Sequence, residues 1–316
     1  MMKTTIAIII GNGFDIDMGL PSSYPEFAKS NEWNNLFNSF WGNRWTNWGM
    51  DYSLLWHLKN AIKPNWFEIE EEIRKFVSTH PAITEKQERM IHKEFEGLRQ
   101  ALCNYLIRIS KGHKADETKL AYQLLTHLPK CPGPIIQIFF NYTNPDLFLN
   151  SPLKYASIFH CTYTYVHGSL EENNIVLGCD INENEKVNRR LSYMYKYNML
   201  TKANHVVRNL LEAKDIIFFG HSVNEMDFCY FKEFFKAAST SPTPFRYVTF
   251  ITWDEKSERN IKDNIRNQGI SVTDLYNNLF SLEFIHSSKV YEGDETESQK
   301  WRDLLNRLLI ENREVL

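Results

Sequence analysis

The chain has 316 residues, 43% of them hydrophobic and 24% charged, with a net charge of −3. That composition suits a soluble globular protein of one large or two modest domains and excludes disorder, collagen-like repeats and a disulfide-stapled miniprotein. No global field argues for nucleic acid.

Five cysteines, Cys103, Cys131, Cys161, Cys179 and Cys229, form no C-x-x-C pair. That argues against a zinc ribbon and a disulfide framework, and for reduced thiols. The opening apolar run is only Ile6–Ile10. A signal peptide or a membrane span needs a longer one. The expectation is a soluble, cytoplasmic protein with no metal.

Short apolar runs at Ile6–Ile10, Ile135–Phe140, Ile175–Leu177, Ile216–Phe219 and Tyr247–Ile251 read as buried strands. Continuous runs suit parallel strands covered on both faces, and helical patterns lie between several of them. The expected fold is α/β, a Rossmann-like, mostly parallel sheet with a large helical insertion. Residues 1–30 and 129–316 form the α/β core in this reading, and 31–128 a helical, Trp-rich insertion. Six of the eight Trp fall in the insertion: Trp33, Trp41, Trp45, Trp48, Trp56 and Trp66. A small aromatic core and a lid or partner surface are both open readings. The last helix, about Gln299–Asn312, carries Trp301, Leu304, Leu305, Leu308 and Leu309 on one stripe, as a packing helix does.

Four constellations carry chemistry-bearing residues. The first strand runs into Gly11-Asn12-Gly13-Phe14-Asp15, followed by Gly19-Leu20-Pro21. Glycine lets backbone approach a ligand, and the first turn of a doubly wound sheet is where phosphates commonly sit. A plain tight turn fits as well, because the third glycine of the dinucleotide pattern is missing. The stretch Gly11 to Ser22 reads as a loop long enough to fold over a ligand, ending at a capping box, Ser23 to Glu26.

Asn141, in Asn141-Tyr142-Thr143, falls where a strand runs out and offers both a donor and an acceptor; a turn-forming Asn is the alternative. His167, in His167-Gly168-Ser169, is a candidate general base or a structural histidine. In Gly220-His221-Ser222, a capping pattern with Glu225 places a helix start at Ser222. Asp227 then lies along the buried stripe Phe228, Phe231, Phe234 and Phe235, where a charge needs a partner or a job.

Glu70 poses the same question. On a helix starting near Trp66 it shares a face with Trp66, Ile73 and Val77, while Glu68, Glu71 and Glu72 point elsewhere. A basic stretch from 186 to 214 (Lys186, Arg189, Arg190, Lys196, Lys202, Arg208, Lys214) reads as a phosphate or nucleic-acid surface or as a solvated face.

The order of these motifs resembles the AbiH family of bacterial abortive-infection proteins. The resemblance rests on Ile10-Gly11-Asn12-Gly13-Phe14-Asp15 through Gly19-Leu20-Pro21, Trp66 with Glu70, Asn141-Tyr142-Thr143, and Gly220-His221-Ser222 with Asp227. The same order more distantly resembles the sirtuin fold, without its zinc cysteines. That likeness implies an NAD-consuming toxin. On that likeness Asn141 would orient water or ribose, and His167 would accept a proton. Gly11, Asn12 and Gly13 would supply backbone donors. Asp15 or Asp227 would hold a ribose hydroxyl, and Gly220, His221 and Ser222 would form the later nucleotide-contacting turn. NAD is then substrate or ligand. The alternatives are a nuclease or nucleic-acid-binding effector, and a non-catalytic nucleotide sensor that recruits a partner. Partner classes left open are a second copy of the chain, a phage-derived trigger and, less favoured, nucleic acid; a membrane is not expected.

Overall fold

The computed structural model describes residues 5–42, 50–62, 68–149, 161–180, 188–198 and 203–310. Two compact units emerge. The first comprises Met1–Leu20, His113–Val166 and Lys202–Leu316; the second comprises Pro21–Gly112 and His167–Thr201.

The first unit holds one parallel sheet: β1 (Ile6–Ile10), β2 (Ile135–Phe139), β3 (Cys161–Tyr165), β4 (Asp215–Phe219), β5 (Thr243–Thr252) and β6 (Leu279–His286). The spatial order is β3-β2-β1-β4-β5-β6, so the winding direction reverses between β1 and β4. This is the Rossmann order, and the reversal marks the crevice where such sheets receive ligands. β1 and β4 are buried along their whole length, as strands covered on both faces must be. On one face Phe218, Phe250 and Phe284 stack across three neighbouring strands, with ring centroids 4.5 and 4.9 Å apart. At the amino end, Arg307 of helix Glu295–Leu308 pairs with the fully buried Asp215 at 3.1 Å and donates to Thr249 at 2.8 Å.

Three local expectations are corrected. Ile175 and Leu177 are buried, but the run is not a strand; Val176 N–H instead closes a turn onto the His167 carbonyl at 2.7 Å. The two edge strands, β3 and β6, carry polar residues and so present no continuous apolar run. No helix starts at Ser222: Gly220 and Val223 both have positive φ, and helix Lys232–Thr240 begins only after a short turn at Phe228–Tyr230.

The second unit is helical, with helices Asn31–Trp41, Leu54–Ala61, Ile69–Thr79 and Glu85–Ser110. Trp33 is buried, and Trp56 lies against Phe37 and Trp41 with centroids 5.9 and 6.1 Å away. Trp45, Trp48 and Trp66 lie outside the described residues. Buried Glu94 accepts from Ser53 Oγ at 2.8 Å, Trp41 Nε1 at 3.2 Å and Leu55 N–H at 3.3 Å, tying three elements together. Glu72 does not point away as expected. It is buried and pairs with Lys75 at 2.8 Å and His57 at 3.2 Å.

Candidate functional site

The strand register places Phe139, Ile10, Phe219, Ile251 and Ile285 in one row across the sheet. Two residues beyond that row, at the carboxyl ends, stand Asn141, Asn12, His221, Trp253 and Ser287. Ligands of open parallel sheets bind at this edge.

The stretch after β1 is no ligand-covering loop. Helix α1 (Asn12–Asp17) begins directly after Gly11. The glycines have a packing reason. A Cβ on Gly11 would lie 2.5 Å from the Gly220 carbonyl oxygen, and one on Gly13 would lie 2.6 Å from Gly220 Cα. Gly11 N–H donates to the Phe219 carbonyl at 3.0 Å, and Gly13 N–H to the Gly220 carbonyl at 2.9 Å. Both donors are therefore already used where β1 and β4 diverge. The side chain of Asn12 is exposed there.

α1 brings Asp15 against the residues that follow β2. Asn141 Nδ2 donates to Asp15 Oδ1 at 2.7 Å and to Thr143 Oγ1 at 3.1 Å; Thr143 Oγ1 donates to Asp15 Oδ2 at 2.6 Å. All three are buried. Burial is the largest influence on the Asp15 carboxyl and pushes it up to about 7, against the bonds from Thr143 and Asn141, which pull it down. A carboxyl poised there exchanges protons readily near neutral pH. The carboxylate fixes which end of the Asn141 amide is the donor. Its other end, Oδ1, is buried with no hydrogen-bond partner. A buried carbonyl left so needs an account, and a ligand donor supplies one.

After β4, Val223 N–H donates to His221 Nδ1 at 3.0 Å, which puts the ring proton on Nε2. Nε2 faces Asp227 Oδ2 at 3.6 Å, beyond a direct hydrogen bond. The imidazole is wedged between Phe140 and Phe231, at 4.5 and 5.1 Å. Asp227 is buried, as its stripe suggested. Ser222 is exposed, and its carbonyl accepts from Asn264 Nδ2 at 3.0 Å.

The structure thus joins Asp15 to Asn141, and His221 to Asp227. Thr143 is the member of the first cluster that sequence reasoning noted but did not assign. His167 belongs to the second unit, where it is buried. The turn after it is built around Asn174: Ser169 N–H donates to Asn174 Oδ1 at 2.8 Å, and Gly168 has φ +75°.

Glu70 pairs with Lys196 at 2.8 Å, and Lys196 is completely buried. Other members of the basic stretch also meet acids: Arg190 meets Glu88 and Arg208 meets Glu212. Among the described residues no group of three metal-type side chains is arranged to hold a metal. No helix among them is long and apolar enough to cross a membrane.

No curated protein and no solved structure matches the chain. The family model for bacteriophage abortive infection, AbiH, matches residues 7–250, most of the length, including Asp15, Asn141, Thr143, His221 and Asp227. The chain belongs to the AbiH family of bacteriophage abortive-infection proteins.

Proposed function

We propose that this AbiH protein acts in phage defence by binding the ribosyl end of a nucleotide, with NAD as the leading ligand, and hydrolysing its N-glycosidic bond. The observation that carries the reading is the buried cluster Asp15–Asn141–Thr143 with the unpartnered Asn141 Oδ1. A ribose hydroxyl or an attacking water fits that acceptor. A pyrophosphate does not fit the Gly11 and Gly13 N–H groups, which are committed to β4. The phosphates of a nucleotide are therefore not assigned to that turn.

In this reading Asn141 accepts a hydrogen bond from the bound hydroxyl and holds it beside Asp15. Water adds to the anomeric carbon as the C–N bond breaks. The base leaves with the bonding electron pair, and the proton of the water passes to the Asp15 carboxylate. Nicotinamide leaves neutral, so little acid catalysis is required, and the oxocarbenium-like state needs mainly orientation. The sirtuin resemblance supplies the choice of NAD.

The test is NAD turnover by the purified chain, with Asn141→Ala and His167→Ala beside it and a binding titration of NAD. Turnover lost in Asn141→Ala at unchanged melting temperature supports the reading. Binding without turnover makes the protein a sensor, and neither binding nor turnover overturns the nucleotide reading.

A further inference from the structure

Trp253 stands two residues past the same row as Asn141, at the end of β5. The residue is 60% exposed, whereas Trp33 and Trp301 are buried. Its backbone is pinned. Ser288 N–H donates to the Trp253 carbonyl at 3.0 Å, and Ser287 Oγ to the Thr252 carbonyl at 3.1 Å. The indole lies beside Tyr291, centroids 6.4 Å apart. Tyr291 is fixed in turn: its hydroxyl donates to Asp17 Oδ1 at 2.6 Å and accepts from Leu120 N–H at 2.9 Å. Lys119 Nζ sits 4.4 Å from the Tyr291 ring centroid.

This is an exposed indole on a pinned backbone, beside a fixed tyrosine whose ring carries a cation. A side chain ordered in advance loses little entropy when a ring stacks on it, which is how aromatic anchors contribute binding energy. The flat face of an indole suits a nucleobase, and an ammonium nearby suits the charge a nucleotide carries. From β2 to β5 there are three strand spacings, about 14 Å in all. A ligand reaching from Asn141 to Trp253 is therefore of dinucleotide length.

We propose that Trp253 is the stacking platform for the purine base of a dinucleotide whose reacting ribosyl end lies at Asn141. The proposal rests on the nucleotide reading above and adds to it the orientation of the ligand and a second recognition residue.

Calorimetric titrations of the full-length chain with NAD, AMP and nicotinamide mononucleotide test it. Trp253→Ala is expected to weaken AMP and NAD binding roughly ten- to a hundredfold, to leave nicotinamide mononucleotide binding as it is, and to keep the melting temperature of the parent. Trp253→Phe is expected to restore most of the loss. Asn141→Ala is expected to show the converse pattern, weakening nicotinamide mononucleotide and sparing AMP. Parent-like AMP and NAD binding by Trp253→Ala overturns the platform while leaving the nucleotide reading in place. So does a parent chain that binds nicotinamide mononucleotide but not AMP. A parent chain that binds none of the three overturns both.

Discussion

Thr143 donates its hydroxyl hydrogen to Asp15 across 128 residues of chain, at 2.6 Å, and accepts from Asn141 at 3.1 Å. One hydroxyl thus fixes both the carboxyl and the amide of the cluster. Thr143→Val keeps the shape and removes both bonds. It is expected to cost about 1–3 kcal/mol, the usual consequence of stranding buried polar partners. Thermal denaturation measures that. Because the Thr143 bond pulls the Asp15 carboxyl down, the variant should also titrate at higher pH than the parent. A parent-like profile would show that Thr143 does not set the Asp15 proton.

Asp15 makes stability depend on pH in a direction opposite to that of a salt-bridged acid. Its carboxyl is raised from an ordinary 3.8 to about 7 in the folded chain. Between those values the folded state holds a proton that the unfolded state has released. Its contribution therefore falls as pH rises through that window and stays as a fixed cost above it. The slope is at most about 1.4 kcal/mol per pH unit. Asp15→Asn has no such proton. Its melting temperature relative to the parent should rise from pH 4 to pH 7 and then level off. A stability difference independent of pH would mean that Asp15 does not titrate in this window.

Gly13 and Gly220 show why glycines alone are a poor guide to a phosphate site. Gly220 has φ +63°, and a Cβ there would lie 2.4 Å from the Gly13 carbonyl carbon and from Phe14 N. Gly220→Ala costs about 1–2 kcal/mol from the left-handed backbone alone, and the clash adds to it. The expected result is a large fall in melting temperature or in soluble yield, before any effect on ligand. A normally folded Gly220→Ala chain would contradict the close approach of the two turns.

The same packing explains what was legible in the sequence. β1, β2, β4 and β5 were found because they are central strands, buried enough to read as Ile- and Phe-rich runs. β3 and β6 are edges, and sequences such as Cys161-Thr162-Tyr163-Thr164-Tyr165 carry no such run. Asn141 and Asp15 were each picked out by position, at a strand end and after a glycine turn. Their bond to one another spans 126 residues and has no local signature. Ser222 with Glu225 spelled a helix start, yet Val223 N–H is taken by the His221 ring and the chain turns instead. Trp253 stood just past a recognised strand and gave no signal, since exposure of an indole is a tertiary fact.

The pairing of Glu70 with Lys196 answers the question raised by a carboxylate on an apolar helix face. Lys196 has no solvent exposure, while Glu70 keeps a little. Burying an ammonium costs several kcal/mol unless an anion compensates it, so the two halves of the pair are unequal under mutation. Glu70→Ala takes an anionic partner from the buried lysine and is expected to cost about 3–5 kcal/mol. Lys196→Met leaves only a partly hydrated carboxylate and fills the same volume, so it should cost far less. The double variant should recover much of the Glu70→Ala loss, and denaturant melts of all three complete the cycle. Equal losses in the two single variants, adding up in the double, would mean that the residues act separately and that Glu70 is held on its helix face by something other than Lys196.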